Sequence, residues 1–167
     1  MTSETGLERN KWCLFFDVCS KIEKLSAELY HFYSDVFLDN PDASRMWKKT
    51  ALEEENHLEQ IKMAERLTTE IDMVMPNGLE VACGIHAKLG RLVAGVKHNP
   101  PDLITALKKS IEMEERLAFL HMESALRFKN ASMQQMFDAL RASDREHISA
   151  LKRQLAIESL ARMEMSG

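Results

Sequence analysis

The run Leu52-Glu53-Glu54-Glu55-Asn56-His57 sets three carboxylates and an imidazole within six residues. Such a run is either the wet side of a helix or half of a binding site, and periodicity separates the two. A helix advances about 100° per residue, so Glu54 and His57 share a face while Glu53 and Glu55 point about 100° to either side. Steps of four and seven from Glu54 reach Thr50, Trp47, Leu58 and Ile61, a mostly apolar stripe. Glu54 and His57 are therefore expected to face inward, and Glu53 and Glu55 to be solvated. A buried carboxylate beside a buried imidazole requires neutralisation, by a metal or by a tight hydrogen-bond network.

The tracts around this run read as helices. The six glycines and four prolines are few and gather at Pro41, from Pro76 to Gly95, and at Pro100 and Pro101, leaving long uninterrupted stretches. Apolar residues recur at i, i+3, i+4 and i+7, with no strand-length alternation. Helices are predicted over about Gly6 to Leu38, Pro41 to Met73, Pro101 or Asp102 to Asn130, and Ser132 to Met163. Asn40 before Pro41 is a start signal, because the side chain caps and the missing proline N–H costs nothing at the first position. Ser132 is the expected cap of the last helix. Residues 74–101 form a crossover, too long for a hairpin, with a short helix expected near Ile85 to Val96. The prediction is an all-α single domain over 1–167. Two helical hairpins joined by one long crossover match the order of a ferritin-like four-helix bundle.

Composition sets limits on partners. A formal net charge of -4, with Lys and Arg scattered, provides no basic stripe, so neither nucleic acid nor an anionic membrane is an expected partner. The start MTSETGLERNKW lacks a basic region followed by an apolar one, and Trp12 to Phe16 is too short to span a bilayer, which predicts a cytoplasmic protein. Cys13, Cys19 and Cys83 form no CxxC pair and read as reduced, mostly buried thiols. Met63, Met113, Met122 and Met136 read as core filler, and His31, His86 and His98 as surface or crossover residues.

The Glu-or-Asp, two residues, His pattern also occurs at Asp144/His147 and Glu28/His31. With acids at 26 of 167 positions and six histidines, chance alone supplies about one such pair, so orientation has to discriminate. Asp144 lines up with Phe137, Leu140, Ile148 and Leu151, an inward stripe, whereas Glu28 shares its face with Lys21 and Asp35 and is expected to be solvated. Two further acids point inward: Glu23, in line with Phe16, Cys19, Ala27 and Tyr30, and Glu114, in line with Leu107, Ser110, Ala118 and His121. Glu23 to Glu54 spans 31 residues and Glu114 to Asp144 spans 30, the mark of a two-fold internal repeat. Stacked face to face, the halves bring together Glu23, Glu54, His57, Glu114, Asp144 and His147, the donor set of a carboxylate-bridged two-iron or two-manganese site. A hydrogen-bonded polar core is the competing reading of the same six residues.

The segments IEKLSAELY (22–30) with LEEENH, and IEMEERLAFLH (111–121) with ASDREH (142–147), resemble the two repeats of the rubrerythrin branch of the ferritin-like superfamily, over essentially the whole chain. The resemblance implies two iron ions, manganese or zinc being the other metals such donors accept. It implies Glu23 and Glu114 as terminal ligands, Glu54 and Asp144 as bridging carboxylates, and His57 and His147 as nitrogen ligands. Rubrerythrins reduce hydrogen peroxide with electrons from a C-terminal rubredoxin domain. Here the sequence stops after the fourth long helix, so a separate donor such as a free-standing rubredoxin is expected, and the family suggests a homodimer.

The sequence departs from that family at three positions. Asp144 stands where the family has glutamate, shorter by one C–C bond of about 1.5 Å. Leu117 stands where an additional glutamate is usual. His121 occupies the place that matches Tyr30 in the first repeat. Tyr30 is expected to donate a hydrogen bond to a carboxylate, and His121 either to supply a nitrogen to a metal or to hydrogen-bond a ligand. Three functions follow as expectations: peroxide or dioxygen reduction at a metal pair, ferritin-like iron oxidation and storage, or a metal-free interaction bundle.

Overall fold

A computed structural model describes residues 2–67 and 78–165, with side chains over 11–66 and 78–165. It holds five helices, α1 (Thr2–Val36), α2 (Pro41–Leu67), α3 (Gly78–His98), α4 (Leu103–Arg127) and α5 (Ala131–Met165), and no strand among the described residues. The expected end of the second helix at Met73, and the first residues of the crossover, lie outside the described residues. No described helix is long and apolar enough to cross a membrane.

Short connections make two hairpins. Asn40 caps α2, its Oδ1 accepting from the Ala43 amide at 3.1 Å and its carbonyl from the Ser44 amide at 2.9 Å, with Pro41 opening the helix. Asp102 caps α4 in the same way, accepting from the Thr105 amide at 3.2 Å. The cap of α5 is Asn130 rather than Ser132. Asn130 Oδ1 accepts from the amides of Ser132 and Met133 at 3.0 and 3.2 Å, so Ser132 already lies inside the first turn. α1 packs along α2 and α4 along α5, while α2 and α5 meet along a lighter seam.

The crossover helix is longer than Ile85 to Val96, running 21 residues from Gly78 to His98. Its buried stripe of Ala82, Ile85, Leu89, Val93 and Val96 keeps a three-to-four spacing, and that face packs chiefly on α1 and more lightly on α4. Gly84 and Gly95 face open space and Gly90 only brushes Leu25, so the glycines cost helix propensity without opening a break.

Two aromatic clusters bracket the middle of α1. Toward its start, Trp12 lies tilted 5.3 Å from Phe128, and Phe128 stacks on Phe137 at 5.2 Å, tying α1 to the α4–α5 turn. Toward its end, Trp47 lies 5.0 Å from Tyr33 and 5.2 Å from Phe37, closing the α1–α2 turn. Two sequence readings are corrected on the surface. Cys13 and Cys83 are exposed and only Cys19 is buried, because the first two fall off the apolar stripes of α1 and α3. Met63 is exposed on the outer face of α2, whereas Met113 is core.

Candidate metal centre

Between the aromatic clusters the core turns polar. Glu23, Glu54, Glu114, Asp144 and His121 are each fully buried, and His57 and His147 nearly so, at 5% and 3% exposure. The helices deliver them as the periodicity requires: Glu23 from α1, Glu54 and His57 from α2, Glu114 and His121 from α4, Asp144 and His147 from α5. Glu28, by contrast, reaches outward to Lys97, and His31 to Glu55 at 2.9 Å, so that pair takes no part.

Two groups of donors converge: Glu23, Glu54 and His57 form one, and Glu54, Glu114 and His147 the other, with the ligand atoms of each within 4.8 Å of one another. Glu54 belongs to both. Its Oε2 lies 3.1 Å from His57 Nδ1 and its Oε1 lies 3.2 Å from His147 Nδ1, so the carboxylate stands between two imidazoles with an oxygen toward each. His57 Nδ1 also lies 3.5 Å from Glu23 and His147 Nδ1 3.2 Å from Glu114. The two rings lie 6.0 Å apart and 26° from parallel. Tyr30 donates its hydroxyl hydrogen to Glu114 Oε1, as the sequence suggests.

Asp144 is turned elsewhere. Its Oδ2 lies 2.7 Å from Nδ1 of His121, whose Nε2 faces Glu23 Oε1 at 3.3 Å. His121 thus ties Asp144 to Glu23 across the bundle, and Asp144 completes neither group of donors. The Glu53 reading is corrected: it is not on the wet face. Half-buried, it approaches His147 Nε2 at 3.0 Å, while Glu55 stays exposed. The sequence signal for Glu53 is only its place one step from Glu54, on the flank that faces α5.

Charges in this space strongly perturb one another. Burial is the largest influence on Glu54 and, with the negative charges of Glu114 and Glu23, pushes its carboxyl up to about 8. Burial likewise raises Glu114. On Glu23 burial is also the largest single influence, but the close approach of the His121 and His57 imidazoles outweighs it and holds the carboxyl below its ordinary range. Burial alone would lower both histidines, yet Glu23 and Glu54 carry His57 to about 10, and Glu114 and Glu54 carry His147 to about 11.

The donor set fits a metal. Both oxygens of Glu23, Oε1 of Glu54 and Oδ1 of Asp144 are buried without a hydrogen-bond partner. Imidazole nitrogens lie within 3.2–3.5 Å of the Glu23 and Glu54 oxygens without bonding them, and orphaned buried carboxylate oxygens are costly. Carboxylate with imidazole is a donor combination suited to divalent iron, manganese or zinc. No protein-family model, curated protein or solved structure matches the chain.

Proposed function

We propose that this chain is a rubrerythrin-like non-haem diiron protein that reduces peroxide or dioxygen with electrons from a separate donor such as a rubredoxin. The observation that carries this reading is Glu54, one carboxylate with an oxygen toward each of two histidines and shared by two donor groups. Glu23 and His57 would hold one ion, Glu114 and His147 the other, and Glu54 both. Bound there, a pair of iron ions would supply two electrons, enough with two protons to reduce hydrogen peroxide to water or dioxygen to hydrogen peroxide, and would regain them from the donor.

The chain's own residues prepare that chemistry. Burial on four helices excludes bulk water from the carboxylates. Tyr30 keeps its proton, its hydroxyl raised well above the ordinary value by burial and by the charge of Glu114. It thereby occupies Glu114 Oε1 and leaves Oε2 turned to His147. Both histidines present Nδ1 inward, and each lines a surface cavity. A small oxidant would therefore approach from the imidazole side.

Anaerobic purification followed by metal analysis, then peroxide turnover with a reduced donor, tests the reading. Two metals per chain and turnover are expected, with Asp144→Glu as a companion variant that restores the longer acid. Less than one metal per chain would sink both iron readings and leave a metal-free interaction bundle. Two metals without turnover would point to iron oxidation and storage, which requires a hollow shell of many subunits instead of the dimer that the family resemblance suggests, a difference that size in solution resolves.

A further inference from the structure

Two cavities open along the α2–α5 seam, about 390 and 240 Å³ in volume. His147 lines the larger together with Lys49 and Arg145, and His57 and Ser143 line the smaller. Glu53 borders both and is the wall between them. Its two oxygens face different neighbours. Oε1 lies 3.4 Å from the ammonium of Lys49, a mostly exposed side chain, and such a pair contributes little. Oε2 lies 3.0 Å from Nε2 of His147, a ring that is 3% exposed.

The two histidines are therefore unequal at their outer nitrogens. His147 turns Nδ1 toward Glu54 and Glu114 and has a carboxylate behind it. His57 turns Nδ1 toward Glu23 and Glu54, and no described side chain bonds its Nε2. A carboxylate that accepts the outer N–H of a ligating imidazole fixes its tautomer and ring orientation and raises its basicity; losing it typically lowers metal affinity about 10–100-fold.

We infer that Glu53 is a positioning residue for the metal position of Glu54, Glu114 and His147, and that this position fills before the one at His57. The inference rests on the metal-binding reading above. Ser143 does not substitute for Glu53, because its hydroxyl reaches His147 Nε2 only at 3.5 Å.

Anaerobic calorimetric titration of the full chain with Fe(II) alone tests it. The wild type should bind in two steps. Glu53→Ala should weaken the tighter step about 10–100-fold and leave the weaker one unchanged. Glu53→Gln, which keeps an acceptor oxygen, should lose less, and Glu55→Ala nothing. In a His147→Ala background, Glu53→Ala should cause no further loss. Equal weakening of both steps, an unchanged tighter step, or an effect that persists without His147 would overturn the role given to Glu53 while leaving two bound metals in place. A wild type that takes up no Fe(II) would instead overturn the metal reading, and this inference with it.

Discussion

Nδ1 of His121 lies 2.7 Å from Asp144 and its Nε2 3.3 Å from Glu23, so one buried imidazole on α4 serves carboxylates from α5 and α1. Removing one partner of such a buried arrangement leaves charge uncompensated and costs about 3–5 kcal/mol. His121→Leu should therefore lower the metal-free stability by about that amount in urea with chelator present; a cost below about 1 kcal/mol would show that His121 does not hold the carboxylates. The histidines also set a pH dependence. His57 and His147 titrate at about 10 and 11 when folded, against about 6.5 unfolded. Folding thus binds their protons more tightly, and their stabilisation is complete below pH about 6.5 and lost as pH rises through 10 to 11. Glu54, raised to about 8, acts in the same direction at lower pH. Thermal melts of the metal-free chain should fall steadily from pH 7 to 10. Metal binding needs unprotonated imidazole, so Fe(II) uptake near neutral pH should release protons, measurable in weakly buffered solution.

At the scale of the helices, the caps separate what is local from what is not. Asn40→Ala and Asn130→Ala should each cost about 1 kcal/mol, whereas Ser132→Ala should be near neutral; equal losses at Asn130 and Ser132 would contradict the cap assignment. The Asn40-Pro41 start was legible because cap and proline act within one turn. At the start of α5, Asn130 and Ser132 are both competent caps two residues apart, and only the amides actually bonded distinguish them. The expected helix begins seven residues later than α3 because Gly84 lowers helix propensity just before Ile85. The apolar stripe of α3 gains stability only once α1 is present to cover it.

Across the whole molecule, the two hairpins are joined through the donors: Glu54 comes from the first, and Glu114 and His147 from the second. Metal should therefore act as a staple between halves, stabilising the folded chain by about 2.7 kcal/mol when free metal is a hundredfold above the dissociation constant. The midpoint of thermal unfolding should rise with Fe(II) under anaerobic conditions and return on adding chelator. No rise would show that the buried acids are satisfied without an ion. The sequence by itself determined the helical tracts, the capped start of α2, and the inward direction of Glu23, Glu54, His57, Glu114, Asp144 and His147, because a repeat of 3.6 residues is a property of each helix alone. Only the tertiary structure decided that Glu54 faces both histidines, that Asp144 turns to His121, and that Glu53 backs His147. Those choices depend on which flank of one helix meets the next, and that is set by how the hairpins pack, at separations of up to 94 residues along the chain.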